Sequence, residues 1–106
     1  MMKTSISLIG MAGAGKSSIG EELAKSLNLE FVDSDLVIEQ KYGKSLQDIL
    51  SQSGHERFKE IEEESLLSVN FQEIVLATGG SAVFSKKGMQ FIKENSIVIY
   101  LDATYQ

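Results

Sequence analysis

Gly10-Met11-Ala12-Gly13-Ala14-Gly15-Lys16-Ser17 fits G-x-x-x-x-G-K-[ST] without a gap, and each fixed position has a physical job. Glycine carries no Cβ, so the backbone can wrap closely around phosphate oxygens. The N–H groups of such a loop line a concavity that suits anions. Lys16 adds a point charge within reach of β- and γ-phosphates, and Ser17 a hydroxyl for Mg²⁺. The helix that follows turns its positive end toward the same anion. Met11, Ala12, Ala14 and Ser18 complete the expected nucleotide cradle.

Four fixed positions recur by chance, so the flanks decide. Upstream, Thr4-Ser5-Ile6-Ser7-Leu8-Ile9 reads as a short buried strand. Downstream, Ile19, Leu23, Ala24 and Leu27 recur at helical spacing. Strand, glycine loop and helix form the context that the pattern requires.

Strands and helices keep alternating beyond this unit. Helix 16–27 stops at Asn28, a residue that tolerates left-handed backbone. Strand 30–33 and helix 34–42 follow, with Gly43 as the stop. Ser45-Leu46-Gln47-Asp48 has the form of a capping box and opens a short helix through Leu50, closed near Gly54. A longer helix, 55–69, buries Phe58, Ile61, Leu66 and Val69. Ile74-Val75-Leu76-Ala77 is a continuous apolar run, as in a strand covered on both faces. After the turn Thr78-Gly79-Gly80-Ser81, Ser85 caps a helix through Glu94 with Met89 and Ile92 inward. Strand 97–101 is the last, and 102–106 opens a further helix.

This order predicts one α/β domain over 1–106: a parallel sheet of about four strands with helices on both faces. Ligands in such sheets sit beyond the carboxyl ends of the strands. Three polar turns fall there: the glycine loop, Asp33-Ser34-Asp35 and Thr78-Gly79-Gly80-Ser81. Asp33 is the candidate for the water shell of Mg²⁺, which takes one or two carboxylates plus phosphate oxygens. Asp35 is the candidate to accept a proton from an attacking hydroxyl, as phosphoryl transfer needs. By itself D-x-D also suits a solvated turn, and Gly79-Gly80 an ordinary tight one. Glu60, Glu62, Glu63 and Glu64 read as a solvated helix face, with Glu62 near enough to brace the site. His55 has no second histidine beside it and reads as solvated.

Composition narrows the function. A formal net charge of −5 with no basic stripe argues against a nucleic-acid partner. No cysteine is present, which removes disulfides and thiolate metal sites and fits a cytoplasmic protein. No apolar stretch approaches the roughly 18 residues of a membrane span. A cleavable leader is not expected, because removing the first strand would remove the phosphate loop.

The chain resembles the first two-thirds of a shikimate kinase. The resemblance rests on ordered blocks: Leu8-Ile9-Gly10 through Ser17-Ser18-Ile19-Gly20, Phe31-Val32-Asp33-Ser34-Asp35, Ser53-Gly54 with Phe58 and Glu62, Ala77-Thr78-Gly79-Gly80, and Val98-Ile99-Tyr100-Leu101-Asp102. It implies a fold of the nucleoside monophosphate kinase type, with ATP and Mg²⁺. It places Lys16 and Ser17 at the phosphates and the metal, Asp33 near the metal, and Asp35 against the hydroxyls of the acceptor. The implied reaction moves the γ-phosphate of ATP to shikimate, in aromatic amino acid biosynthesis, or to a similar small polyhydroxy acid.

Three departures from the family pattern bear on that expectation. The family's carboxylate-gripping arginine after phenylalanine is Lys59 here, which keeps the charge and loses the bidentate fork. Arg57 is no substitute, since two helical positions are about 200° apart. The family's third glycine is Ser81, so the acceptor-binding set becomes Asp35, Lys59, Gly79, Gly80 and Ser81. Family members continue into a fifth strand, an arginine-bearing lid and an adenine loop, so the chain reads as truncated at its C-terminus. That leaves a second reading, a nucleotide-binding module with little turnover, and a third, a kinase for gluconate or a nucleotide. The family's strand order would put the second strand at one edge of the sheet and strand 97–101 at the other, an apolar edge open to self-association.

Overall fold

The apolar run Ile74–Ala77 becomes strand β3, buried at all four positions, and the sheet is assembled around it. The computed structural model describes residues 5–10, 16–79 and 85–101, of Lys16 and Ser17 the backbone only. In chain order these form β1 (Ile6–Gly10), α1 (Lys16–Leu27), β2 (Glu30–Asp33), α2 (Ser34–Tyr42), α3 (Leu46–Leu67), β3, α4 (Lys86–Asn95) and β4 (Ile97–Leu101). The sheet order is β2-β3-β1-β4 and every pairing is parallel. The expected parallel sheet is therefore found, with the second strand at one edge and the last at the other.

Alternation along the strands separates two cores. Leu8 and Val75 face α1 and pack with Ala24, Leu23 and Phe31. Ile9, Ile74 and Leu76 face the other way, against Leu66 of α3 and Met89 and Ile92 of α4. Helices thus cover both faces. A third cluster, Ile38, Ile49 and Ile61, joins α2 to α3 away from the sheet.

Several boundaries differ from the sequence reading. β1 runs to Gly10, which pairs with Leu101. A Cβ there would overlap the Leu101 carbonyl oxygen, so only glycine lets the strand reach its neighbour at this point. α1 rests on the sheet through small residues: a Cβ at Gly20 would stand 2.5 Å from Phe31 Cε1. That close approach centres the buried face on Gly20 and Ala24 and leaves Ile19 43% and Leu27 49% exposed, outside the expected stripe. The helix opened by Ser45 does not end at Leu50. It runs on to Gly54, whose φ of 84° and ψ of 165° are not helical and close it as expected; the longer helix follows, and the two together are labelled α3. The segment 102–106, expected to start a helix, lies outside the described residues.

Buried serines replace apolar packing at the amino end of the sheet. Ser5 Oγ accepts from Ile74 N–H, and Ser7 Oγ lies 2.7 Å from Ser96 Oγ. At the edge, β4 leaves Ile97, Ile99 and Tyr100 exposed. Among the described residues no helix is long and apolar enough to cross a membrane.

Candidate functional site

β2 passes into α2 without a loop, which places Asp33, Ser34 and Asp35 at the carboxyl end of the strand. Asp33 is the N-cap of α2: its Oδ1 accepts from Asp35 N–H at 2.9 Å and Leu36 N–H at 3.3 Å. The carboxylate thereby answers donors that a helix start leaves unpaired. Asp35 sits in the first turn, where the positive end of the helix favours its charge.

The neighbouring strand end is held just as closely. Asp33 is in register with Ala77. The next residue, buried Thr78, donates both its N–H (3.2 Å) and its Oγ1–H (2.9 Å) to the Leu8 carbonyl. Gly79 follows, and its N–H donates to Ser34 Oγ at 3.2 Å. A Cβ on Gly79 would stand 2.6 Å from Asp35 Oδ1. The glycine was expected to let backbone approach a ligand; what approaches it is the Asp35 carboxylate. Ser34, Asp35, Ile38, Glu62, Leu66 and Gly79 line a cleft of about 10 Å³, no larger than a water site.

Glu62 thus stands at the cleft, where the sequence suggested a bracing role. Lys59, one helical turn earlier on α3, is exposed and is not among the lining residues. Arg57 is engaged elsewhere. Its guanidinium contacts Glu60 at 2.9 Å and Glu64 at 3.4 Å. The Glu60 hydrogen bond, and next the charge of Glu64, raise its pKa above the ordinary value. It lines a different, larger cavity of about 220 Å³ with Tyr42, Lys44, Ile49, Gln52, Ser53 and Ile61.

Of the phosphate loop, Gly10 ends β1 and Lys16 and Ser17 open α1, with Ser18 exposed on that helix. Met11, Ala12, Gly13, Ala14 and Gly15 lie outside the described residues, as do Gly80 and Ser81. Among the described residues no three acidic or histidine side chains gather to hold a metal by themselves. Two anchoring groups had escaped the sequence reading. Ser34 sits between two aspartates that draw the eye, and only its place at a helix start hinted at a buried hydroxyl. Glu63 accepts from Ser85 Oγ–H at 2.8 Å, a contact across 22 residues that local pattern does not reveal.

A glycine-lysine loop between β1 and α1, in a sheet ordered β2-β3-β1-β4 with an acidic β2 end, defines a P-loop kinase fold of the nucleoside monophosphate kinase type. The family model "Shikimate kinase" matches residues 12–106, and the chain belongs to the shikimate kinase family. It is 43% identical over 105 residues to the shikimate kinase of Haemophilus influenzae strain Rd, covering 98% of this chain and 58% of that protein. The Clostridium botulinum shikimate kinase is 41% identical over 102 residues, with 95% and 61% covered. Among solved structures, the Acinetobacter baumannii shikimate kinase in complex with shikimate superposes with a TM-score of 0.87 at 38% identity, over 94% of this chain and 56% of that one. The Aquifex aeolicus enzyme gives 0.86 at 30% identity, over 95% and 61%. The chain therefore spans about three-fifths of the length of these relatives.

Proposed function

We propose that the protein carrying this chain transfers the γ-phosphoryl group of ATP to a hydroxyl of shikimate. The observation that carries the reading is the Asp35 carboxylate, fixed at the first turn of α2 and seated against Gly79 in the cleft. The acceptor oxygen attacks the γ-phosphorus, its proton passes to Asp35, and the bond to the β-phosphate bridging oxygen breaks to release ADP. Such a transfer depends on positioning and on spreading the charge of the transferred group. Lys16 and the N–H groups of the 10–17 loop hold the phosphates. Asp33 and Ser17 offer the hard oxygen donors that suit Mg²⁺ beside a nucleotide, and that ion, when bound, neutralises phosphate charge.

Lys59 and Ser81 favour a second acceptor reading, a small polyhydroxy acid other than shikimate. Lysine at Lys59 meets a carboxylate as a point charge, without arginine's paired donors, and Ser81 adds a side chain where the family has bare backbone. A coupled ADP-release assay on the full-length protein, with shikimate and a panel of polyhydroxy acids, tests both. Shikimate-dependent ADP release supports the first; release with another acid alone replaces it with the second. The exposed edge of β4 supports self-association as a separate property. Sedimentation with and without Ile99→Lys checks it.

A further inference from the structure

Gly43, at a φ of 67°, ends α2 and turns the chain toward Ser45, which caps α3. Leu46 N–H donates back to Glu39 Oε2 at 2.9 Å and ties this hairpin. The two helices meet through Ile38, Ile49 and Ile61, and beside that contact lies the cavity of about 220 Å³. Its wall has two kinds of surface. Tyr42, Ile49 and Ile61 are apolar, whereas Lys44, Gln52 and Arg57 carry hydrogen-bond donors. Among the described residues no carboxylate lines it; Glu60 and Glu64, which pair with Arg57, are not part of the wall. Both of those pairs use Nη1 of a side chain that is 47% exposed, and exposed pairs hold weakly. Arg57 Nε and Nη2 have no partner among the described residues. Neither has Gln52 Nε2, because Lys44, which can only donate, takes the amide oxygen. A water-sized space of about 20 Å³ adjoins the cavity across Tyr42 and Ile61, which line both. Ser65 lines that space, and its buried Oγ has no hydrogen-bond partner among the described residues. The cavity shares no lining residue with the cleft of Asp35, Glu62 and Gly79.

We infer that this cavity is a second binding site, for a small organic carboxylate that carries an apolar ring or short chain. The apolar body lies against Tyr42, Ile49 and Ile61. The carboxylate meets Arg57 through Nε and Nη2, a planar pair of donors matched to its two oxygens. Lys44 adds a second positive charge, and Gln52 Nε2 a neutral donor. A bare anion leaves the apolar wall in water, and a neutral ring gives the guanidinium nothing to hold, so neither half of the ligand suffices alone. Every residue the site uses lies between positions 42 and 61, so the inference stands apart from the kinase reading.

The test titrates the full-length protein with benzoate, and with benzamide and acetate for comparison, by calorimetry and by amide NMR shifts. Benzoate binds saturably at millimolar concentration and moves the amides of Tyr42, Lys44, Gln52 and Ser53. Benzamide lacks the charge and acetate lacks the ring, and each binds at least about tenfold more weakly. Arg57→Ala weakens benzoate about tenfold, the scale of one lost charge-assisted hydrogen bond. Arg57→Lys keeps the charge, loses the fork and falls between the two. Thermal melts of both variants match the wild type, because only exposed ion pairs are lost. Lys44→Ala, on another part of the wall, repeats the loss of affinity should Arg57→Ala fail to fold. No saturable binding of benzoate overturns the site. So do equal affinity for benzamide or acetate, unchanged affinity in Arg57→Ala and Lys44→Ala, and shifts confined to Asp35, Glu62 and Gly79, which would put the ligand in the cleft.

Discussion

Gly79 and Asp35 stand so close that a single methyl group does not fit between them: a Cβ on Gly79 would lie 2.6 Å from Asp35 Oδ1. The obstructing atom is the tip of a side chain, which can swing away. Gly79→Ala is therefore expected to cost little stability, under about 1 kcal/mol, well below a rigid overpacking. It moves the carboxylate from its seat, and acceptor turnover falls while ATP binding persists. Thermal melts and acceptor kinetics check the two halves. In an Asp35→Ala background the added methyl changes neither.

Gly10 presents the opposite case, because its obstacle is backbone. An alanine there meets the carbonyl oxygen of Leu101 in the adjacent strand, and β1 must part from β4 at the root of the phosphate loop. Gly10→Ala is expected to destabilise by about 2–3 kcal/mol and to weaken nucleotide binding together with stability. Chemical denaturation alongside nucleotide titration measures both.

The buried pair Ser7 and Ser96 gives an asymmetric prediction. Ser96 Oγ–H donates to the Ile92 carbonyl at 2.7 Å, so Ser7 is the donor in the 2.7 Å bond between the two hydroxyls. Ser7→Ala leaves Ser96 bonded and costs under about 1 kcal/mol. Ser96→Ala strands the fully buried Ser7 hydroxyl and costs about 1–3 kcal/mol. Removing both hydroxyls recovers part of the loss, which a double-mutant denaturation series reads directly.

The sheet was legible because burial imposes visible patterns. Ile74–Ala77 announced a central strand by having no polar face, and Gly43 marked the end of α2, whereas the capping role of Asp33 emerged only from the structure. Of the three turns expected to meet, the described residues bring together the β2 end and Gly79, and residues 11–15 of the glycine loop lie outside them. What escaped were relations that no local pattern encodes. α1 buries Gly20 rather than Ile19, because the closeness of helix to sheet depends on Phe31 lying beneath it. Gly54 was legible as the break between the two helices of α3, as its backbone angles bear out, but not the run of the first helix past Leu50 to that break. Ser34 and Glu63 find partners 45 and 22 residues away, a distance over which spacing carries no signal.

Nucleotide binding is expected to rest on the phosphate loop whatever the acceptor. In that reading Lys16 brings a positive charge to the β- and γ-phosphates, and Lys16→Ala should cut affinity for MgATP and MgADP at least about tenfold, the scale of one lost charge-assisted contact, with the fold unchanged. Titration calorimetry and circular dichroism test this together. Absence of binding to the unaltered protein at millimolar nucleotide would refute the phosphate-site reading.

Residues 1–106 by themselves are expected to bind nucleotide and to transfer little. In the proposed kinase reading the loop, Lys16 and a bound Mg²⁺ would stabilise charge on one side of the γ-phosphoryl group. In the family that the chain resembles, the other side is met by an arginine on a lid that follows the matched region. Loss of such an arginine typically costs on the order of 10³–10⁵ in turnover. An open site also admits water, so residual chemistry shifts toward hydrolysis. Lys59, in the acceptor-binding set that the resemblance implies, would meet the acceptor's carboxylate as a point charge rather than a fork and so weaken its hold further. A longer form that includes a lid should be active, and Asp35→Asn should abolish its transfer while ATP still binds, because the amide no longer accepts the proton of the attacking hydroxyl. Coupled ADP-release assays on both lengths make the comparison. Ordinary turnover by residues 1–106 would remove the lid from the mechanism, and full activity of the longer form with Asp35→Asn would remove Asp35 from the acceptor site.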